Sequence, residues 1–174
     1  MNILLYTIRK KFSGVQHVST DTVYGWLVPR PRADLLLLDT RTAAEFGVSR
    51  LPGAVHLDPD SDDATVRRTL TRHLPPAAAG AERERTTIAC YCSVGYRSSV
   101  TAQRLNALRA QPAAAEPPLP AYEAVNIEGS IFKWANEGKP LEGADGQPTR
   151  LVHPYDKIFG RLLDKSLWKF PEKQ

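Results

Sequence analysis

Residues 86–100 read TTIACYCSVGYRSSV. Thr86 to Tyr91 are β-branched, apolar or aromatic, the pattern of a buried strand. From Arg97 the chain continues RSSVTAQRLNALRA, which places Thr101, Leu105 and Leu108 on one face of a helix. A short loop with one glycine and one arginine joins the two. Both cysteines of the chain, Cys90 and Cys92, lie at this junction, two residues apart.

Working outward, the same alternation repeats. The run DLLLLDT, ending at Asp39 and Thr40, reads as a fully buried strand, and TAAEF after it as a short helix. PGAVHL gives a Pro-Gly turn and a brief strand. SDDATVRRTLTRHL sets Val66, Leu70 and Leu74 four apart, with Ser61 or Asp62 as N-cap. YEAVNIEG is a last strand, and SIFKWANEG a helix stopped by Gly138 and Pro140. Near the start, VQHVST forms a small strand, with Thr20 or Asp21 capping a helix through Trp26. Strand alternating with helix predicts an α/β fold with a largely parallel sheet covered on both faces. Ligands of such sheets bind outside the carboxyl ends of the strands. Asp39 and Cys92 both sit at a carboxyl end, so they belong to one rim.

The composition is that of an ordinary globular chain: 174 residues, 42% apolar and 24% charged. No run approaches the roughly 18 apolar residues of a membrane span. Two cysteines are too few for a disulfide scaffold, and His17, His56, His73 and His153 are scattered without metal-ligand spacing. No metal and no cofactor is expected. The net charge of +4 sits at the ends: residues 1–20 hold three basic and no acidic side chains, and residues 150–174 six basic and three acidic. Aromatic residues do not interleave with a basic stripe, which argues against nucleic acid and leaves a mild preference for small anions. The basic N-terminus is compatible with an organellar transit peptide. A short amphipathic helix is the favoured reading, with the cytoplasm as the expected compartment and a mitochondrial or other organellar one as the alternative.

Chemistry points to Cys92. Loop amides between a strand and a helix N-terminus can turn inward as an anion cradle, and the helix dipole and Arg97 add positive potential. Both favour the thiolate, which is a nucleophile. Gly95 suits a left-handed turn or a close backbone approach. The spacing from Cys92 to Arg97 is C-x-x-x-x-R, one residue shorter than the loop of cysteine phosphatases. The shorter bowl suits a single extra sulfur atom better than a tetrahedral phosphate.

Three stretches carry a family resemblance: LLLLDTRTAAEFGVSRLPGAVHL, YCSVGYRSS and NIEGSIFKWANEGKPL. The first resembles the D-x-R-x-x-x-E-[FY] and H-[IL]-P-G-A pattern of the rhodanese (sulfurtransferase) family. The second resembles its C-x-x-G-x-R loop and the third its G-G-x-x-x-W motif. The resemblance as a whole is taken to run from about residue 17 to residue 141. The tail LVHPYDKIFGRLLD also resembles an extension of a bacterial and organellar subset of these proteins.

The resemblance implies a three-layer fold with a mostly parallel five-stranded sheet and helices on both faces. It implies an N-terminal basic helical extension over residues 1–15, a rhodanese domain over 16–142 and a C-terminal extension over 143–174 packed on it. Cys92 would take a sulfane sulfur from a small anionic donor such as thiosulfate, or from a thiol persulfide. It would pass that sulfur to a thiol, a protein acceptor or cyanide. Arg97 would orient the donor or brace the loop. Ser93, Val94, Gly95 and Tyr96 would hold the sulfur through their amides together with that of Arg97, and Ser98 would join them. Asp39, Arg41 and Glu45 would support the loop, with Arg41 and Glu45 at i,i+4 pairing on a helix face. A docking module using its basic tail, a cysteine phosphatase and an arsenate reductase are the alternatives. No membrane and no nucleic acid partner is implied, and oligomeric state stays open.

Two positions depart from the pattern: Arg50 stands where the family has a histidine, and Ser130 where it has a second glycine. Cys90 is a second candidate, for redox resolution of Cys92. Residues i and i+2 of a strand lie about 6.6 Å apart with parallel Cβ directions, which disfavours a disulfide. A buried core residue is the competing role. The Ala- and Pro-rich segments 75–85 and 111–122 read as surface loops. The tail from Leu151 has apolar residues at near-helical spacing and is expected to wrap the body, burying Phe159 and Trp168.

Overall fold

A computed structural model of the chain describes residues 1–28, 32–74, 85–110 and 119–171. Most of segments 75–85 and 111–122 lies outside them. Five parallel strands form the central sheet: β1 (His17–Val18), β2 (Leu35–Asp39), β3 (Val55–His56), β4 (Thr86–Tyr91) and β5 (Tyr122–Ile127), in the order β1-β5-β4-β2-β3. β4 is central, in register with β2 from Leu35↔Thr87 to Asp39↔Tyr91 and with β5 from Thr86↔Tyr122 to Cys90↔Asn126. Because all five run the same way, Asp39, Tyr91 and Ile127 end on one rim. Residues Leu141–Glu142 (β6) and Pro148–Thr149 (β7) make a separate antiparallel pair.

Strand side chains alternate between two apolar layers. On one face Leu36, Leu38, Ile88, Cys90 and Ala124 meet α1 (Asn2–Lys11), α4 (Asp63–His73) and α5 (Tyr96–Arg109). Val66 and Leu70 of α4 are completely buried there, each worth about 1.5–3 kcal/mol relative to exposure. On the other face Leu37, Ala89, Tyr91, Val125 and Ile127 meet α2 (Thr20–Leu27), α6 (Ser130–Asn136) and the C-terminal segment. Trp134 is fully buried, and its indole N–H donates to the Pro140 carbonyl at 2.8 Å. No helix among the described residues is long and apolar enough to cross a membrane.

Local chemistry sets the helix starts. Asp62 caps α4 through the Thr65 N–H. α2 is capped by Ser19, one residue before the expected Thr20 or Asp21, because the Ser19 hydroxyl accepts from the Thr22 N–H. α3 (Ala43–Val48) begins with a capping box made by Thr42 and Glu45.

That cap corrects one expectation. Arg41 precedes the helix, so it does not share a helical face with Glu45. It turns back to Asp39 instead: Nε donates to Oδ1 at 2.9 Å and Nη2 to Oδ2 at 2.6 Å, with both side chains fully buried. Nη2 also donates to the Ser49 carbonyl at 2.6 Å. Arg41 therefore fixes the turn between β2 and α3 from inside.

The tail is a second correction. Its near-helical spacing belongs to two 3₁₀ turns, Phe159–Leu162 and Lys165–Leu167, and Phe159 and Trp168 are not the residues it buries. Pro154 and Gly160 interrupt the helical pattern, and a Cβ on Gly160 would come within 3.0 Å of both Pro154 and the Trp168 ring. The tail buries Val152, Leu163 and Leu167, together with Pro154 and Gly160. Trp168 is only partly buried, and Phe159 stays 37% exposed.

Candidate active site

The loop after β4 sits on the rim and is gripped by α6. The Cys92 N–H donates to the Ser130 hydroxyl at 3.1 Å, and that hydroxyl donates to the Ile127 carbonyl at 3.0 Å. The first amides of α6 donate back to the loop, Ile131 to the Cys92 carbonyl and Phe132 to the Ser93 carbonyl. Gly95 closes the turn with φ of 113°, a region L side chains rarely enter. A Cβ there would also press on the Asn126 amide at 3.4 Å. Ser130 holds φ of 51°, in the left-handed region that favours glycine, and supplies a hydroxyl that glycine would lack. Replacing Ser130 by alanine leaves the buried Cys92 N–H without a partner. The expected loss is about 1–3 kcal/mol of stability, read by denaturant unfolding.

Cys92 is 1% exposed, and its Sγ accepts from the Gly95 N–H at 3.1 Å. The Ser98 hydroxyl lies 3.5 Å from Sγ and donates to the Asn126 Oδ1 at 2.7 Å. Asn126 in turn meets the His17 Nδ1 at 3.0 Å. Burial alone would raise the thiol pKa. The Arg97 charge, the hydroxyl and N–H of Ser98 and the Gly95 N–H outweigh it and hold Cys92 below the ordinary thiol value. Cys90 is also fully buried, and burial followed by the neighbouring Cys92 pushes its thiol well up. Both thiols are free, and Cys90 lies in the apolar layer among Leu38, Ile88 and Ala124. With iodoacetamide, Cys92 should be the residue that reacts. Its rate should level off at a pH below that of a free thiol, while Cys90 in the folded protein stays unmodified. Peptide mapping across a pH series reads both.

Arg97 does not point freely into solution. Its Nη1 and Nη2 donate to the two oxygens of Glu45 at 2.8 and 2.7 Å, and Nη2 also to the Ser93 hydroxyl at 2.9 Å. Ser93 donates to Glu45 at 2.9 Å. Glu45 further receives the N–H and hydroxyl of Thr42 at 3.0 and 2.9 Å. Burial would raise the Glu45 pKa, but Arg97, Thr42 and Ser93 outweigh it and bring the group down to about 2. Glu45 is thus the partner of Arg97 rather than of Arg41.

Of the anticipated residues, Cys92, Ser93, Val94, Tyr96 and Arg97 border one cavity, with Gly95 and Ser98 against the sulfur and Glu45 behind Arg97. Asp39 and Arg41 pair with each other and are not among the residues lining it, and Cys90 lies in the apolar layer of α4 and α5. Arg50 is a packing residue: its Nε donates to Glu142 at 2.9 Å and its guanidinium covers the Phe46 ring. Sequence reasoning missed Asn126, Leu4 and Tyr155, and it expected Phe159 to be buried rather than to border this cavity. The Tyr155 ring stacks on Arg97 with the guanidinium 4.7 Å from its centroid. His153 is pushed down by burial and by the charges of Arg41 and Arg97, against the pull of Glu45. Among the described residues no group of three or more His, Cys, Asp or Glu side chains is placed to hold a metal.

Residues 26–137 match the Rhodanese-like domain family. The chain belongs to that family. Solved rhodanese-like structures share the fold at low identity. A thiosulfate sulfurtransferase from Pseudomonas aeruginosa aligns over 90% of this chain and 25% of its own, with 19% identity and a TM-score of 0.56. A rhodanese-like domain protein from Staphylococcus aureus aligns over 74% of this chain and 97% of its own, with 22% identity and a TM-score of 0.50. A protein of unknown function from Rhodopseudomonas palustris, described as a possible tyrosine phosphatase, aligns over 79% of this chain and 93% of its own (19% identity, TM-score 0.50). No curated protein sequence matches the chain significantly.

Proposed function

We propose that this rhodanese-like chain is a sulfurtransferase that carries sulfane sulfur as a persulfide on Cys92. The observation that carries the reading is the closed six-residue loop. It aims the Gly95 N–H and Ser98 at Sγ while Arg97 is held by Glu45. Such a site stabilises negative charge on one sulfur and on one more attached to it. The Cys92 thiolate attacks the outer sulfur of a donor R–S–SH. The donor S–S bond breaks, its electron pair leaves on R–S⁻, and Cys92 becomes a persulfide. An acceptor thiolate or cyanide then attacks the outer sulfur and releases the Cys92 thiolate. Double displacement predicts ping-pong kinetics.

Loop length argues against the phosphatase reading, and the Rhodopseudomonas neighbour supports only a shared fold. A tail-mediated docking module is disfavoured because the tail spends Val152, Leu163 and Leu167 on the body and Tyr155 on Arg97. The deciding experiment charges the protein with thiosulfate and with thiol persulfides and maps the added sulfur by mass, with aryl phosphate hydrolysis assayed alongside. One sulfur on the Cys92 peptide, discharged by cyanide or thiol, is the expected result. Absence of sulfane sulfur and of turnover with every donor would overturn the reading.

A further inference from the structure

The two chain ends outside the family match meet over Cys92. Leu4 arrives from α1, and Tyr155 and Phe159 from the C-terminal segment. With Val94 and Tyr96 they wall a cavity of about 160 Å³ that ends on Cys92. An apolar cavity of about 150 Å³ accepts one benzene ring. The space over the sulfur is therefore sized for a single ring or a short branched chain.

The walls also decide what charge can enter. Among the described residues lining the cavity, Arg97 is the one cation, and it faces the Cys92 thiolate. Glu45 takes both of its Nη groups, and the Tyr155 ring covers its face. Lys11 reaches the rim but donates to the Tyr96 hydroxyl at 2.6 Å. A small dianion would shed its water here against apolar walls and one cation already paired, so its desolvation is poorly compensated. A compact apolar group gains from the same walls.

We propose that the sulfur donor is an organic sulfane compound whose carbon group is compact and apolar, about one aromatic ring in size, seated among Leu4, Tyr155 and Phe159. This rests on Cys92 being the sulfur carrier. The step balances without an oxidant or reductant. The Cys92 thiolate attacks the outer sulfur, the donor bond to that sulfur breaks, and the electron pair leaves with the organic thiolate or sulfinate. The extensions thus set donor specificity for a loop that the family domain supplies.

The test compares benzenethiosulfonate with methanethiosulfonate, which share one negative charge and the same outer sulfur and differ in the apolar group. Thiosulfate is the dianionic third arm. Charging of Cys92 is followed by sulfinate or sulfite release, and each kcat/KM is divided by the rate of that donor with a small free thiol. The benzene donor should exceed both others by at least about tenfold. In Leu4→Ala and Phe159→Ala the ratio of benzene to methane donor should fall toward one. That ratio is unaffected by the fraction of folded protein, so a destabilised variant still reports. A wild-type ratio near one, thiosulfate as efficient as the benzene donor, or a ratio unmoved in both variants would overturn the proposal. If no donor charges Cys92 at all, the sulfurtransferase reading itself fails and this inference falls with it.

Discussion

Cys92→Ser is expected to abolish sulfur loading, with the charging rate down by on the order of 10⁴-fold or more. A serine hydroxyl is not ionised near neutral pH, so the interactions that favour the Cys92 thiolate have nothing comparable to act on. The substitution is nearly isosteric in a residue that is 1% exposed, and the Cys92 N–H to Ser130 bond does not involve the side chain. The fold should therefore survive and the chemistry should not. Cys90→Ala provides the contrast. Cys90 faces the layer of α4 and α5 and makes no contact with the loop's hydrogen bonds, so loading should stay within about twofold of wild type. Intact mass after incubation with donor reads both variants. An added sulfur on Cys92→Ser would remove Cys92 from the chemistry, and loss of loading in Cys90→Ala would make the pair a functional unit.

The second large effect belongs to Glu45. Its carboxylate is 2% exposed and serves Arg97, Ser93 and Thr42 together. Breaking a buried pair from one side costs about 3–5 kcal/mol. The Arg97 side chain keeps 22% of its surface in water, so the lower end applies. Glu45→Ala should lose about 3 kcal/mol, a fall in melting midpoint of about 6–12 °C for a chain of this size. Sulfur loading should also fall by tenfold or more, since Arg97 and Ser93 lose their anchor.

Acid should reproduce part of the effect. The folded pKa of Glu45 is about 2 against an ordinary 4.5, so the unfolded chain takes up its proton first as pH falls. The stabilisation is complete above pH 4.5 and drains away as pH drops to about 2. A Glu45→Gln variant should lack that step in its stability–pH curve. A curve parallel to wild type over this window would show that Glu45 carries no such linkage.

The residues that made the fold readable were those whose local signal and tertiary role agree. Leu35 to Leu38 and Ile88 to Tyr91 are apolar or aromatic throughout because both faces of their strands are covered, and that continuity is visible in one dimension. The cysteine loop was legible because its glycine, cysteine and arginine are adjacent. Partners distant in the chain were not. The spacing of Arg41 and Glu45 invited a helical pair, yet the helix starts at Ala43, and each residue found a partner set by strand register or loop closure. Ser130 looked like a plain loss of glycine, since its hydroxyl contact to Cys92 spans 38 residues. Leu4 carries no motif, and the extension-like pattern around Tyr155 and Phe159 does not say where it docks. They converge on Cys92 only because α1 and the tail dock near the same rim, and the proline and glycine that bend the tail hide its period.

One carboxylate begins α3 and also closes the cysteine loop, although the two are some fifty residues apart in sequence. Neither can fray without loosening the other, because Thr42 and Arg97 share Oε2 while Arg97 and Ser93 share Oε1 of the same carboxylate. The first turn of α3 and the loop therefore form one cooperative opening unit, and their amides should share a common protection against solvent exchange. Access to the sulfur by local opening is in this way governed from a helix that never touches it.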